Sequence, residues 1–284
     1  MRIKDVRVLL VGVGHWGFNH YKTLAALTNN FKVYDTNPSR TFTMNGVSNM
    51  HVVGTNEANY DAVIIATESV KHFELTKYYW ERGCSVLCEK PVVKSKEELD
   101  ELVHMVKQRP DQVFMAGHTL MYHPAILDAV DWAVNCTDIN VVLRRMKYNP
   151  IKGEDEIYRL APHDISILDR LGILDSCDSC DRCGNSLYFS SDRGKANVVV
   201  SWSQDPPIRD LYILSNFDTL YFNDYQETYM IEDRVVWYDK TPPLMKEQIA
   251  FLSSVAGRDM NHSDIYHTER VYTALTHLKT WKPL

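Results

Sequence analysis

The sequence predicts a parallel α/β domain over residues 1–118, followed by an α+β domain over 119–284 with a mostly antiparallel open sheet and helices on one face. Three observations predict it. Short β-branched runs alternate with longer amphipathic stretches in the first third of the chain, the mark of βαβ units feeding a parallel sheet. At Gly117 this rhythm gives way to clustered strands without intervening helices, which read as hairpins. The 284 residues suit two domains of ordinary size.

The elements follow in order. Arg7 to Gly12 reads as a buried strand, Trp16 to Asn29 as a helix and Phe31 to Asp35 as the second strand. DAVIIAT, Asp61 to Thr67, has the continuous apolar core of a strand covered on both faces. A helix from Lys71 to Arg82 stops at Gly83, a natural C-cap. Ser85 to Cys88 is a strand, Ser95 and Glu98 form a capping box opening a helix to Gln108, and Gln112 to Ala116 is the next strand. After a helix from Pro124 to Asn135 come strands near Ile139–Tyr148, Leu187–Ser191, Ala196–Ser203, Asp210–Ser215, Thr219–Asn223 and Arg234–Tyr238. Helices Leu244 to Ala256 and His267 to Lys279 close the second domain.

Lys and Arg number 31 against 37 Asp and Glu, a net charge of −6, which argues against a nucleic-acid coat. No apolar run is long enough for a bilayer span, and the basic, apolar N-terminus leads into a glycine pattern rather than a cleavage site, so the sequence points away from membranes and export. Six cysteines are too few for a disulfide scaffold in a chain of this length; reduced thiols in the cytoplasm are expected.

The strongest chemical signal is GVGHWG. Gly12, Gly14 and Gly17 stand between a strand and a helix, where glycines permit a tight turn, backbone approach to a pyrophosphate and close helix packing. Asp35 ends the next strand, 23 residues after Gly12. A carboxylate there accepts hydrogen bonds from both adenine-ribose hydroxyls and repels a 2′-phosphate, favouring NAD(H) over NADP(H). Without that context the same residues are a glycine turn and a loop aspartate.

Thr67, in ATESVKH, and Glu89-Lys90-Pro91 stand at predicted strand ends, where open α/β sheets place ligands. With GxGxxG, A-T-x-x-x-x-H and E-K-P in this order, the sequence resembles the Gfo/Idh/MocA family of glucose-fructose oxidoreductase and inositol dehydrogenase. GHTLMYHPAI and LAPHDISIL resemble its branch acting on nucleotide-linked sugars for polysaccharide synthesis. The resemblance implies a Rossmann fold binding NAD(H) in the first domain. It also implies a second domain that binds the sugar and pairs copies of the chain, as a homodimer or homotetramer, through its sheet. It puts His15, Trp16 and His72 near the cofactor and Lys90 beside the nicotinamide and the reacting carbon, with Pro91 in a cis peptide.

Removing a hydride from a carbinol carbon requires removal of the hydroxyl proton, and a lysine desolvated beside the nicotinamide suits that task. Taken alone, Lys90 is equally a surface lysine before a strand-ending proline. The resemblance makes His163, at the start of a predicted helix after Pro162, the catalytic histidine. Many members carry an acidic residue four positions before it, where this chain has Arg159, and a structural His163 stays open on that ground. Asp164 is read as a carboxylate of the first helical turn.

His118, Tyr122 and His123 stand where the family places substrate contacts, although such histidines are equally often held in hydrogen bonds. With Arg144, Arg145, Lys147 and Lys152 on the preceding strand and loop, Arg159 suggests an anionic substrate, a nucleotide-linked sugar or a uronic acid. Cys177, Cys180 and Cys183 form CxxCxxC without a local fourth ligand; a loop of reduced thiols is expected and no metal. Three function classes compete: an NAD-dependent sugar dehydrogenase or reductase, a catalytically silent NAD- or sugar-binding protein, and an interaction or metal module built on the cysteines.

Overall fold

The computed structural model describes residues 2–37, 60–147, 156–202, 206–216, 218–258 and 260–277. Their contacts divide the chain into two compact units, Met1–Thr119 with Pro242–Thr268, and Leu120–Thr241 with Glu269–Leu284. The segment Pro242–Thr268, expected in the second domain, thus returns to the first unit.

In unit 1, strands β1 (Val8–Val11), β2 (Phe31–Tyr34), β3 (Ala62–Ile65), β4 (Ser85–Glu89) and β5 (Phe114–Gly117) form a parallel sheet ordered β2-β1-β3-β4-β5. All residues of β1, β3, β4 and β5 are buried, as their apolar runs require in a sheet covered on both faces, with Ser85 and Glu89 of β4 the polar exceptions. The chain leaves β1 toward β2 on one side and returns to β3 on the other, so the strand order reverses beside β1, where open sheets of this kind bind ligands. Helices α1 (His15–Leu27), α2 (His72–Glu81) and α3 (Lys96–Lys107) are the crossovers among the described residues; the Ser95 hydroxyl caps α3 by accepting from Glu98 N–H. The returning segment carries α6 (Pro243–Val255), which packs on α1. It also satisfies the outer edge of β5, where Ser263 bonds Ala116 through both backbone and hydroxyl and Asn261 donates to the Phe114 carbonyl.

Unit 2 is built on eight strands, β6 (Ile139–Met146), β7 (Cys177–Cys183), β8 (Ser186–Ser191), β9 (Gly194–Ser201), β10 (Ile208–Leu214), β11 (Thr219–Asn223), β12 (Thr228–Ile231) and β13 (Arg234–Val235). Their order is β13-β12-β11-β10-β6-β9-β8-β7, and every pairing is antiparallel except β6 with β9. Val141 and Leu143 of β6, Val198 of β9 and Leu211 of β10 pack with apolar residues of α4 (Pro124–Val134), α5 (Glu156–Arg170) and α7 (Ile265–His277). Arg144, Tyr188, Asn197, Tyr212 and Tyr221 occupy the alternate positions and face the other way.

Two expectations fail here. CDSCDRC is not a loop but β7, an edge strand held by its ladder to β8; its serines and aspartates gave no strand signal, and pairing overrode their low propensity. His163 does not start a helix. Pro162 lies inside α5, and burial of Ile157, Leu160, Ala161, Ile165 and Leu168 along one face offsets the roughly 3 kcal/mol that an internal proline costs.

Candidate functional site

The glycine turn is dictated by close approach. Gly12 has φ +91°, and a Cβ there would lie 2.7 Å from the Ala66 carbonyl oxygen; a Cβ on Gly17 would lie 2.0 Å from the Gly12 carbonyl oxygen. The turn therefore sits tightly against the end of β3. Gly14 is the N-cap of α1 and offers no side-chain cap, and the first turn of α1 holds no acidic residue, so its N–H groups and positive dipole end are left for an anion. Asp35 is 7% exposed; its Oδ2 accepts from Val13 N–H at 2.9 Å and its Oδ1 from Asn37 N–H at 2.8 Å. These bonds fix the carboxylate beside the glycine turn. The residues thus fit a dinucleotide: a donor-lined helix terminus for the pyrophosphate and a fixed carboxylate for the ribose.

The strand ends around this turn are tied together by His72, buried between the Pro91 carbonyl (2.9 Å from Nδ1) and the Thr67 carbonyl (3.0 Å from Nε2). Thr67 packs against Gly12, and the Lys90–Pro91 peptide is cis, as the resemblance implied. His72 therefore joins the loops after β3 and β4, holding Lys90 on the same side of the sheet as the glycine turn. His15 and Trp16 open α1 as exposed residues, but Trp16 Nε1 reaches down to donate to Glu89 Oε1 at 2.5 Å.

Beneath Lys90 lies a polar cluster that sequence reasoning missed. Glu89 Oε1 also bonds His20 Nε2 at 2.8 Å, and the Gln248 amide donates to His20 Nδ1 at 3.0 Å and to the His20 carbonyl at 3.1 Å. Glu247 Oε2 accepts from the Thr119 hydroxyl at 3.3 Å. His20, Glu247 and Gln248 are fully buried. Gly117, paired with Glu89 across the β4–β5 ladder, makes room: a Cβ there would lie 3.0 Å from Glu89 Cδ. The available signal was the run Lys246-Glu247-Gln248 within an otherwise apolar stretch of α6, LMKEQIAFL, which no motif marks.

The expected substrate residues divide. His118 belongs to unit 1, buried edge-on against His267 with ring centroids 4.9 Å apart; burial, then His267 and Lys90, hold its pKa well below the usual histidine value. Tyr122 is buried in unit 2. His123 is committed to the scaffold rather than left for a ligand: its Nδ1 caps α4 by accepting from Ala125 N–H, and its Nε2 lies 3.3 Å from Asp224 Oδ1. Burial alone would raise the Asp224 carboxyl, but His123 and Arg209 bring it down to about 2.

On α5, Arg159 and His163 are one turn apart on one face, Arg159 exposed and His163 half-buried. Asp164 is no first-turn carboxylate; it faces the sheet and pairs with Arg145. Arg144 pairs with Asp210 at 2.9 Å and 2.5 Å. Arg144 and Arg145, each of which alone reads more readily as a solvent-facing strand residue than as a substrate contact, are thus both paired with aspartates; Lys147 is exposed after β6, and Lys152 lies outside the described residues.

Cys177 and Cys183 are exposed and Cys180 is half-buried, its thiol pushed up to about 12 by burial. In the β7 ladder Cys180 opposes Phe189 and Cys183 opposes Ser186, an odd spacing that turns these two thiols to opposite faces of the sheet.

Residues 6–118 match the model of the Gfo/Idh/MocA family, described as an oxidoreductase family with an NAD-binding Rossmann fold. UDP-N-acetylglucosamine 3-dehydrogenase of Acidithiobacillus ferrooxidans is 32% identical over 124 residues, which span 43% of this chain and 39% of that relative's length. A solved structure of that enzyme from the same organism superposes with a TM-score of 0.85 at 23% identity, covering 96% of both chains. The structure of GenD2 from gentamicin A biosynthesis, in complex with NAD, superposes with a TM-score of 0.79 at 15% identity over 96% of this chain and 92% of that one. The fold of both units is thus that of these solved proteins, and residues 6–118 match the NAD-binding Rossmann fold of the Gfo/Idh/MocA oxidoreductase family.

Proposed function

We propose that this oxidoreductase transfers a hydride between NAD(H) and a ring carbon of a sugar that is anionic or nucleotide-linked. The observation that carries the reading is the single-sided assembly of unit 1, in which the Gly12 turn, the buried Asp35 carboxylate, Thr67 and the His72-tethered Lys90–Pro91 loop share the carboxyl ends of the parallel strands. NAD(H), when bound, supplies or accepts the hydride. Asp35 selects the ribose without a 2′-phosphate, the N-terminus of α1 holds the pyrophosphate, and His15 and Trp16 flank it. Lys90 handles the proton of the reacting hydroxyl, and His163 in the second unit is the other proton-handling residue. Arg159, one turn before His163, meets the substrate's negative charge.

The similarity to UDP-N-acetylglucosamine 3-dehydrogenase supports a nucleotide-linked sugar, and six free thiols support a reducing compartment such as the cytoplasm. No helix among the described residues is long and apolar enough to cross a membrane. The helix-free face of the unit 2 sheet, with Tyr188 and Leu214 more than two-fifths exposed, supports pairing of two or four copies of the chain there. Light scattering of the purified chain tests this, and a monomer at all concentrations would refute it.

The deciding experiment follows NADH fluorescence with a panel of neutral sugars, uronates and UDP-linked sugars in both directions. Turnover is expected with an anionic or nucleotide-linked member and NAD(H). The alternative, a catalytically silent binding protein, is motivated by Arg159 replacing the family's acidic residue; it predicts NADH binding with no hydride exchange on any member.

A further inference from the structure

Two carboxyl groups meet in the interior of unit 1. Glu89 ends β4 and Glu247 sits on α6, and one oxygen of each, with a ring nitrogen of His20, lies within 4.8 Å of the others. Their hydrogen-bond donors are unequal. Glu89 Oε1 receives both Trp16 and His20, whereas Glu247 Oε2 receives the Thr119 hydroxyl and the buried Oε1 of Glu247 has no partner among the described residues. Two carboxylates this close and this buried cannot both ionise cheaply.

A bound cation would be one remedy, and the ring of His20 argues against it. Gln248 Nε2 donates to the His20 carbonyl, which fixes which end of the amide faces the histidine, and the same nitrogen donates to Nδ1. Nδ1 is therefore the acceptor, Nε2 carries the hydrogen that it gives to Glu89, and the ring has no lone pair left for a metal.

We propose that Glu89 and Glu247 together hold one proton, resident on Glu247, so that Lys90, next in the chain after Glu89, faces one negative charge and not two. Glu247 is then a positioning residue acting on Lys90 through Glu89. The electrostatics agree. Burial, and then the charge of Glu89, push the Glu247 carboxyl well above its usual range, against a smaller opposing effect of Thr119. Burial also raises Glu89, but the bonds it receives from His20 and Trp16 and the charge of Lys90 leave it below its usual range. The groups facing the pair are His20 and Trp16 from α1, Lys90 after β4, Thr119 after β5 and Gln248 on α6 itself. The effect on Lys90 rests on the function proposed above; the proton count does not.

The test is proton linkage in the full chain. A glutamate that stays protonated when folded but ionises when unfolded weakens folding as pH rises from its ordinary range to its raised folded value, by up to tenfold in the folding constant per pH unit. Chemical denaturation at a series of pH values above 7, clear of histidine titration, should show this slope in the parent and its loss in E247Q. Equal slopes would overturn the proposal. Should E247Q fail to fold, infrared spectra of the parent in heavy water decide: a protonated-carboxyl carbonyl band persisting through neutral pH supports it, and no such band refutes it. One equivalent of divalent metal in the purified chain would also refute it. In hydride transfer, E89Q should lower the pH limb that reports Lys90, and an equal displacement in E247Q would count against the claim. An absence of turnover sinks only the function, because the linkage and infrared readouts need no substrate.

Discussion

Arg145 and Asp164 close a two-pronged ion pair inside unit 2, Nε to Oδ2 at 2.7 Å and Nη2 to Oδ1 at 2.8 Å, both side chains less than a tenth exposed. The pair fixes the rotation of α5 against β6. With Asp164 turned to the sheet, His163 stands about 100° around the helix, on the face it shares with Arg159.

Breaking this pair should cost more than deleting it. Arg145→Leu or Asp164→Leu alone leaves a buried charge and is expected to cost about 3–5 kcal/mol, while the double variant recovers most of that. Urea denaturation of the four proteins checks it; single variants within 1 kcal/mol of the parent would contradict the buried pair, since exposed pairs are worth only about that much.

Lys90→Met and His163→Asn should each retain NADH binding and lose about 10²–10⁴ in turnover, the usual worth of general acid–base catalysis. Fluorescence titration and steady-state kinetics separate the two effects. Turnover within a few-fold of the parent would move the proton to other residues.

Asp35→Asn keeps the shape of the side chain and removes its charge. The preference for NADH over NADPH should narrow by about tenfold to a hundredfold, from the ~1.5–3 kcal/mol that a hydrogen bond to a charged group contributes. An unchanged ratio in a two-cofactor titration would mean that Asp35 serves only its backbone bonds to Val13 and Asn37.

Arg159→Ala should selectively weaken kcat/KM for uronates and UDP-linked sugars, by ~1.5–3 kcal/mol for one charge-assisted contact, with little change for neutral analogues. A uniform loss across the panel would assign Arg159 to the helix instead.

Asp224 predicts an acid limit for unit 2. Its folded value of about 2 lies below the ordinary 3.8, so the unfolded chain binds its proton first. The stabilisation, about 2 kcal/mol, is present above 3.8 and is lost as pH falls toward 2. Asp224→Asn should remove it at neutral pH and flatten that part of the acid-denaturation curve, and a curve parallel to the parent's would show that the His123 and Arg209 contacts contribute nothing.

What was legible in the sequence was legible for backbone reasons. Gly12 and Gly17 are required by approaches of 2.7 and 2.0 Å to carbonyl oxygens, so the GxGxxG spacing survives in the sequence as a geometric necessity, and the four buried strands announce themselves by apolar runs. The α5 start was misplaced because Pro162 is a strong local stop signal, whereas the five apolar side chains that override it act only once the sheet is present. β7 was hidden by its composition. Glu247 and Gln248 were invisible as site residues because their partners, Glu89 and His20, lie about 160 and 230 positions away in the chain, and hydrogen-bond complementarity at such separations leaves no periodicity.

The return of Pro242–Thr268 to unit 1 bears on how such a protein could be inherited or re-engineered. The family-matching stretch ends at residue 118, yet the edge of β5 is closed by Asn261 and Ser263, and His20 is held by Gln248. A gene fragment stopping there would encode an unfinished domain with an open sheet edge and a buried histidine lacking its donor. Recombination that swaps the second unit must therefore respect three joints, near 119, 242 and 268, rather than one. A crossover at a single boundary yields chimaeras that fail in the half meant to be left intact.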